Sequence, residues 1–268
     1  VAILNCNHRL VLNAQAVFDM AKSVEAHALC IQEAGIIPCE TQKARIRDQA
    51  RESGFGFTYF GEVQHNGNFG DKISVVIFLS AHSRAAKLPG EKDQEDLWPG
   101  RAVAAQIPRR GESPLTLVCA YAHASDDTQR DKFITSLVTN LNEVDPHRDY
   151  IFIGDLNCIR TEGAVARVLA NNAYKDANEH FDPRDPPTRE DGTRCIDFSI
   201  HSHRITVNKR TIMPAYEDHL FVQYEFPMNL AWPRLTRPKR AKLTRDDFKS
   251  DTFFAAFDDY TFQEDVLQ

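Results

Sequence analysis

The sequence lacks the features that mark several specialised classes of protein. No apolar run approaches the roughly 20 residues that a membrane-spanning helix requires, and the chain has no internal repeat and no low-complexity tract. Apolar residues make up 42% of the chain and charged residues 26%, which is the composition of an ordinary globular protein. We therefore exclude a helical membrane protein, a fibrous protein and a disordered chain, and we expect no membrane partner.

The six cysteines include no CxxC pair, which argues against a cysteine-based zinc site. Four of them, Cys6, Cys30, Cys119 and Cys158, lie in or beside apolar, strand-like runs, which favours buried thiols in a reducing, intracellular compartment. The chain also opens at Val1 within such a run. We interpret it as a fragment of a longer protein, in which the absence of a signal peptide carries no information.

The net charge of −6 hides an asymmetry toward the end of the chain. Residues 229–250 carry seven Lys and Arg against two Asp, whereas residues 251–268 carry five acidic residues and no base. The first 228 residues therefore hold a net charge of −6 themselves. An anionic substrate of that part has to be met by local cationic side chains or by a metal cation.

Short runs rich in Val, Ile, Leu, Phe and Cys predict buried strands, and helical periodicity predicts a few helices between them. Because strands are many and helices few, two packed β-sheets with outer helices fit better than a regular alternation of strands and helices. The stretches 87–100 and 178–194 are dense in Pro, Gly, Asp and Glu and predict loops. The predicted strands are 1–6, 28–32, 73–79, 101–107, 115–121, 149–154, 195–200 and 220–226, and the predicted helices are 12–26, 129–143 and 162–171.

A domain boundary is predicted after the last of these strands. Three prolines and a basic cluster occupy residues 227–242, which is typical of a linker. The residues that follow have the capping pattern of a helix N-terminus and predict a helix over 244–258. We expect one domain over residues 1–228, then a basic linker and a helical extension over 229–268 that docks on something or leads to a further domain.

Polar residues directly follow several of the apolar strands. Burying such a group in a strand that is covered on both faces costs free energy unless the group is hydrogen-bonded. A single carboxylate at a strand end is more often a turn or cap residue. Six such ends, with five carboxylates and two histidines, are hard to explain as caps and indicate convergence at one edge of the sheets. Clustered carboxylates repel one another without a cation, so the pattern also predicts a metal ion. The residues are Asn5, Gln32-Glu33, Tyr121 with His123, Asp155 with Asn157, Asp197, and Glu217-Asp218-His219.

The order of these motifs resembles the endonuclease/exonuclease/phosphatase family of DNase I-like hydrolases. The most specific pieces are IFIGDLN at 151–157 and the pair IDF at 196–198 and EDH at 217–219. The resemblance covers nearly all of the expected first domain. It implies an α/β fold in the form of a four-layer α/β/β/α sandwich, two packed β-sheets with outer helices, and a metal-dependent phosphodiesterase site at one edge.

The resemblance also implies which residues supply positive charge to an anionic phosphodiester. Glu33 is the implied main ligand of Mg²⁺, for which Mn²⁺ can substitute, since these ions take hard oxygen donors. Asp218 is expected to support the metal or His219. His219 is expected to donate to the phosphoryl oxygens as they gain charge, with Asp197 holding its tautomer and orientation. Metal and imidazolium together would neutralise the phosphate.

The remaining implied catalytic residues handle water and phosphate. Asp155 is expected to orient or deprotonate the attacking water. Asn5 and Asn157 are expected to hold phosphate, water or metal-bound oxygens by hydrogen bonds, and Tyr121 to contact phosphate. The chain departs from the family pattern where Glu217 replaces the usual Ser, and where His123 replaces the Pro that usually follows the Tyr by two residues. Neither departure removes one of these residues.

Within the family, the sequence is closest in pattern to the endonuclease of non-LTR (LINE-like) retrotransposons. The opening AILNCNHR, the segment PPTREDGTRCIDFSI and the basic linker that runs into a new helix all favour this subgroup. The resemblance implies a nuclease that nicks target DNA, works in the nucleus and precedes a reverse transcriptase module in one polyprotein. Further residues near the motifs are candidates for contact with the substrate, namely Asn7, Arg9, His123, Arg160 and Thr188.

Two other functions stay open from the sequence. A phosphomonoesterase, or a lipid or inositol phosphate phosphatase, on the same scaffold could use Arg184, Arg189 and Arg194 of the loop at 178–194. A binding module with a decayed site is the second alternative. It predicts the loss of one of the main catalytic residues, and all of them are present.

Overall fold

The fold is known from a computed structural model. The basic linker and the helix predicted after residue 228 lie outside the residues that the structure describes, and so does Glu217. The described residues are 1–65, 70–81, 83, 86–87, 100–109, 112–144, 149–171, 173–179, 181, 186–190, 192, 194–215 and 218–227.

Most of this region forms strands, and helices are few. None of the described helices is long and apolar enough to cross a membrane. In chain order the elements are β1 (Ala2–Asn5), α1 (Leu10–Ser23), β2 (Ala28–Gln32), α2 (Glu40–Glu52), β3 (Phe57–Phe60), β4 (Val63–Gln64), β5 (Lys72–Ile73), β6 (Val76–Leu79), β7 (Ala86–Lys87), β8 (Ala102–Ile107), β9 (Leu115–Tyr121), α3 (Asp127–Val144), β10 (Asp149–Asp155), α4 (Gly163–Ala170), β11 (Tyr174–Asp176), β12 (Asp197–Ser202), β13 (Lys209–Met213) and β14 (Phe221–Glu225).

Two six-stranded sheets form the centre of the molecule. The first sheet has the strand order β13-β14-β1-β2-β6-β3, and the second has the order β11-β12-β10-β9-β8-β7. Strands β1 and β2 run parallel in the first sheet, and β9 and β10 run parallel in the second. The remaining pairs in both sheets are antiparallel.

The hydrophobic core has three layers, and each lies between two layers of secondary structure. The first contains side chains of α1 and α2 with one face of the first sheet, such as Phe18 and Phe78. The second lies between the sheets and includes Cys30 and Ile151. The third packs α3 and α4 on the second sheet. Alternate side chains of a strand point to opposite faces, so both faces of each sheet are apolar, and the predicted four-layer α/β/β/α sandwich is confirmed.

The structure contains each predicted strand and the three helices predicted within residues 1–228, with the bounds shifted by a few residues. The predicted strand 73–79 is divided into β5 and β6, because the backbone changes partners there: Ile73 bonds to Ile36, and the carbonyl of Val75 accepts from Gly61. Sequence patterns missed α2, in which only Ile46 and Ala50 are buried. They also missed the edge strands β3, β11 and β13 and the two-residue strands β4 and β7, since edge and short strands carry a weak apolar signal.

One edge of the sandwich collects the polar strand ends. Asn5 pairs with Gln32 at the carboxyl ends of the parallel strands β1 and β2. In the second sheet Asp155 is flanked by Tyr121 on β9 and by Asp197 on β12. Because parallel strands end on the same side of a sheet, residues far apart in the chain lie together there.

Candidate active site

A close backbone contact sets the position of Asp155 on β10. The preceding residue, Gly154, has a φ of 154°, and a Cβ at this position would lie 1.9 Å from the carbonyl oxygen of Ala120 on β9. Only glycine allows the two strands to approach this closely. The carboxylate of Asp155 is thereby held at the strand end, where it is 1% exposed.

Asn5 links the two sheets at this edge. Its side-chain nitrogen donates to Asp155 Oδ2 at 2.9 Å and to Glu33 Oε1 at 3.1 Å. Its Oδ1 accepts the backbone N–H of Asn7 at 2.9 Å, which fixes the orientation of the amide. The uncharged side-chain amide of Asn5 thus donates to both carboxylates and partly screens the repulsion between them.

His219 and Asp197 form a buried imidazole–carboxylate pair. His219 Nδ1 lies 2.9 Å from Asp197 Oδ2, and His219 Nε2 lies 3.9 Å from Asp155 Oδ2. Because Nδ1 is engaged with Asp197, Nε2 is the ring nitrogen that faces Asp155. This arrangement suits an imidazole that handles a proton at Nε2 while the carboxylate at Nδ1 holds the ring.

The charges in the site shift the pKa values of these groups in a consistent direction. Burial and the negative charge of Asp197 raise the pKa of Asp155 well above its ordinary value. Burial lowers the pKa of His219, but the hydrogen bond that His219 donates to Asp197 and the charges of Asp197, Asp155 and Asp218 outweigh it and raise that pKa to about 9. The site therefore carries more negative charge than its imidazole alone can compensate.

Thr188 is buried and hydrogen-bonds to Asp197, and this corrects the prediction that Thr188 binds substrate. Its side chain is fully buried, and its hydroxyl donates to Asp197 Oδ2 at 2.6 Å. The same hydroxyl accepts the backbone N–H of Asp197 at 3.0 Å. The loop also bonds to the chain around His219, with the N–H of Leu220 donating to the carbonyl of Thr188 at 2.7 Å. Thr188 thus positions Asp197 and is closed off from solvent.

Asn157 closes the turn that follows β10. It has a φ of 52°, and its backbone N–H donates to Asp155 Oδ1 at 2.9 Å while its side chain donates to the carbonyl of Ala122 at 3.1 Å. The second carboxylate oxygen of Asp155 is thereby held as well. Beside Asn157 opens a cleft of about 470 Å³ that is lined by side chains of both charges, including Arg130, Arg194 and Asp131.

Tyr121 lies on the same side of the site as Glu33. Burial, together with the charge of Glu33 and a hydrogen bond with it, raises the pKa of Tyr121 far above its ordinary value, so the phenol stays protonated and can donate. The guanidinium of Arg101 stands 5.3 Å from the centre of the Tyr121 ring and donates to the Tyr121 carbonyl at 3.3 Å. Arg101 brings a positive charge close to the site.

The donor set at this edge fits a divalent cation. Asp155, Asp197 and His219 each offer an atom, and these atoms lie within 4.8 Å of one another. Asp197 Oδ1 is buried and has no hydrogen-bond partner among the described residues. The side chain of Glu33 is 16% exposed, and Asn5 connects it to this group by donating to both Glu33 and Asp155. Such oxygens are the ligands that Mg²⁺ and Mn²⁺ take.

Asp218, predicted to support the metal or His219, lies outside this group. Its carboxylate forms an ion pair with the guanidinium of Arg189 and is 36% exposed. Its charge still contributes to the raised pKa of His219. The structure therefore brings Asp218 close to the imidazole but engages its carboxylate with an arginine.

The other residues predicted to contact substrate are exposed or partly buried. Asn7 and Arg9 are exposed in the segment after β1. His123 is half-buried, and its ring stands 6.4 Å from that of Phe133. Arg160 Nη1 bonds to Asp176 Oδ2 at 3.2 Å. These four remain candidates for contact with substrate.

Sequence reasoning did not single out His8. His8 Nε2 lies 3.3 Å from Glu33 Oε2, and this imidazole is 43% exposed. The residue is part of the motif AILNCNHR, but its type gave no signal for a role in the site. Its proximity to Glu33 depends on how two turns from separate strands pack together.

Comparisons with known proteins establish the fold of this chain. No protein-family model matches the sequence, and no curated protein matches it. Among solved structures, an endonuclease/exonuclease/phosphatase from Beutenbergia cavernae has a TM-score of 0.62 and 16% identity over 85% of this chain and 72% of its own. A humanized D. rerio TDP2 has a TM-score of 0.63 and 14% identity, covering 85% and 98%. The catalytic domain of human Nocturnin with bound sulfate anion has a TM-score of 0.56 and 15% identity, covering 82% and 87%. The chain therefore has the endonuclease/exonuclease/phosphatase, or DNase I-like, fold.

Proposed function

We propose that this protein is a metal-dependent phosphodiester hydrolase, and specifically a DNA endonuclease. The observation that carries the proposal is the arrangement of Asp155, His219 and Asp197, in which a buried imidazole faces one carboxylate and is held by another. The similar structures support the reaction class, since one of them is described as an endonuclease/exonuclease/phosphatase. Another was solved with bound sulfate, a tetrahedral anion like phosphate.

The proposed roles divide between a base and an acid. Asp155 accepts a proton from the attacking water in its ionised form, and its raised pKa makes that carboxylate a stronger base than an ordinary aspartate, although it also requires a higher pH to ionise. His219 is protonated at neutral pH and donates from Nε2 to the phosphoryl oxygens, while Asp197 stabilises the imidazolium. Positioned groups of this kind act most strongly where charge develops in the transition state.

Glu33 is proposed to hold the cation, with Asn5 orienting the carboxylate. A bound Mg²⁺ or Mn²⁺ would neutralise phosphate charge and lower the pKa of coordinated water. Tyr121 pairs with Asp155 across the sheet, and Asn157 follows Asp155 in the turn after β10. Both would hydrogen-bond to the phosphate or to water. Arg101 supplies a positive charge near Tyr121.

The choice of DNA as substrate rests on the sequence. The segments AILNCNHR and PPTREDGTRCIDFSI resemble retrotransposon endonucleases, and the basic residues of 229–250 suit sequence-independent contact with a polyanion. We propose that the enzyme nicks target DNA for a retroelement in the nucleus, with a reverse transcriptase module following in the same polyprotein.

A supercoiled-plasmid nicking assay tests the proposal. Wild-type protein with Mg²⁺ should convert supercoiled plasmid to open circle, and excess chelator should abolish the conversion until Mg²⁺ or Mn²⁺ is restored. Asp155→Ala should lower the rate by about 10²-fold or more, because a positioned acid–base group contributes about 10²–10⁴. Asp48→Ala, a change in an exposed ion pair on α2 with Arg51, is the matched control and should nick normally.

Different outcomes contradict different parts of the proposal. Cleavage of small phosphomonoesters or lipid phosphates without any nicking would overturn DNA as the substrate but keep the site. Full nicking in excess chelator would overturn the metal requirement. Nicking by Asp155→Ala at the wild-type rate would overturn the assignment of the base.

A further inference from the structure

We infer that His8 supplies a nitrogen ligand to the cation held by Glu33, and that it shifts the preference of the site from Mg²⁺ toward a first-row transition ion. The inference rests on the proposed function, because it concerns the cation of that site. His8 is absent from the catalytic roles assigned above. Its imidazole lies beside Glu33 Oε2, whereas Asn5 donates to Glu33 Oε1.

The backbone holds His8 in this place. Its N–H donates to the carbonyl of Glu33 at 2.6 Å, and both residues have left-handed backbone conformations, with φ of 62° and 46°. Gly35 packs directly against His8, since a Cβ at Gly35 would lie 2.4 Å from the His8 carbonyl oxygen. The turn after β1 is therefore locked onto the turn after β2, which places the backbone of His8 beside that of Glu33.

The distance suits two ligands of one ion. His8 Nε2 and Glu33 Oε2 are 3.3 Å apart. Neighbouring ligands in an octahedral shell with bonds of about 2.1 Å are roughly 3 Å apart. Asn5 donates to Glu33 Oε1, so Oε2 is the oxygen that His8 faces.

The chemistry of the ligands predicts the selectivity. Mg²⁺ takes oxygen ligands and gives up its water reluctantly. Imidazole is a good ligand for first-row transition ions. A site that combines nitrogen and oxygen ligands therefore binds such an ion more tightly than it binds Mg²⁺. A site with one imidazole beside a carboxylate therefore gains affinity for Mn²⁺ and gains little for Mg²⁺.

A plain ion pair is the competing explanation, and the chain contains an example of one. His65 Nδ1 lies 2.9 Å from Asp71 Oδ1, but these side chains are 81% and 52% exposed. They flank the paired strands β4 and β5 and do not lie on two turns from separate strands of the sandwich. The variant His65→Ala is therefore the matched control for removing a histidine from a carboxylate.

Calorimetric titration with Mn²⁺ and with Mg²⁺ separately tests the inference without any substrate. The variant His8→Asn is chosen because Asn tolerates a left-handed φ and is too short to replace the imidazole. We expect it to bind Mn²⁺ at least about tenfold more weakly than the wild type, as for changes close to a metal site. Binding of Mg²⁺ should change by less than about threefold, and His65→Ala should bind both ions like the wild type.

Pulsed electron paramagnetic resonance of the Mn²⁺ complex gives a direct second measurement. Wild-type protein should show nitrogen coupling to Mn²⁺, His8→Asn should lose it, and His219→Ala should retain it. Thermal unfolding confirms that each variant is folded.

The outcomes separate this inference from the proposed function. Tight Mn²⁺ binding that His8→Asn leaves unchanged, or strengthens, overturns the role of His8 and keeps the metal site. Retained nitrogen coupling in His8→Asn overturns it as well. A wild-type chain that binds neither ion overturns the metal-dependent function together with the inference.

Discussion

The two halves of the candidate site differ in how much water can reach them. In the buried half, Thr188, Asp197 and His219 are each at most 6% exposed. In the open half, Glu33 is 16% exposed in its side chain and His8 is 43% exposed. The buried half belongs to the second sheet and the segment before β14, whereas the open half follows β1 and β2. The comparison shows a buried imidazole–carboxylate pair and a more exposed carboxylate at one edge of the sandwich. The proposed function assigns proton transfer to the first and cation binding to the second.

The separation has a physical reason. A proton-transfer pair needs a fixed tautomer and a low local dielectric, which strengthens each hydrogen bond. A divalent ion arrives with its water shell, so its ligands have to face an opening. Asp155 stands between the halves, with Asn5 on one side and His219 on the other.

The largest expected effect comes from breaking the buried half at its imidazole. His219→Ala should lower the turnover of phosphodiester cleavage by about 10²-fold or more, because it removes the proton donor. Initial rates of plasmid nicking at saturating Mg²⁺ measure this. Binding of Mn²⁺ should change far less than turnover, since Glu33 lies in the open half. A variant that loses Mn²⁺ binding and turnover to the same extent would show that the two halves act as one metal site.

An intermediate effect is expected from Thr188, which hydrogen-bonds to Asp197 of the His219–Asp197 pair. Thr188→Val keeps the volume of the side chain but leaves Asp197 Oδ2 without its hydroxyl donor. A buried group left without its partner costs about 1–3 kcal/mol, so we expect unfolding to be easier by that amount. Turnover should fall by about two- to tenfold if half of this cost appears in the transition state.

The matched control for this change is Thr188→Ser, which keeps the hydroxyl and should behave like the wild type in both measurements. Chemical denaturation measures the free energy of unfolding, and plasmid nicking measures turnover. Equal turnover of Thr188→Val and Thr188→Ser would mean that Thr188 supports the fold and has no effect on the orientation of Asp197.

The smallest effect is expected at the rim. Asp218→Asn removes a partly exposed carboxylate that already pairs with Arg189. Exposed ion pairs contribute about 0–1 kcal/mol, so turnover should change by less than about fivefold. Asp48→Asn on α2 provides a comparable exposed pair far from the site. A hundredfold loss of turnover in Asp218→Asn, with weaker Mg²⁺ binding, would restore its predicted role as a metal ligand.

Much of the fold could be predicted from apolar runs. Strands such as β9 and β10 are buried on both faces, and their Val, Ile, Leu and Phe give a strong local signal. Helix α2 could not be predicted in this way, because only two of its side chains are buried. Edge strand β13 is half-buried and begins with Lys209 and Arg210, so its sequence resembles that of a loop.

The candidate site divides along similar lines. Asn5, Asp155 and Asp197 could be found from sequence because each ends or begins a buried strand, where a polar group is expensive. Thr188 was found through its motif, but its contact with Asp197 was not. His8 carried no signal, since its neighbour Glu33 lies 25 residues away in the chain.

The sequence by itself determined which segments become strands, and therefore which polar residues stand at their ends, because those are local consequences of hydrophobic burial. Only the tertiary structure decided which of these residues meet. Asn5 and Asp155 are 150 residues apart, and their hydrogen bond exists because two sheets stack with their strand ends aligned. Asp218 pairs with Arg189, and Thr188 turns inward, because one loop bonds to the chain before β14. Contacts of this kind depend on register and packing across the whole sandwich, which no local pattern encodes.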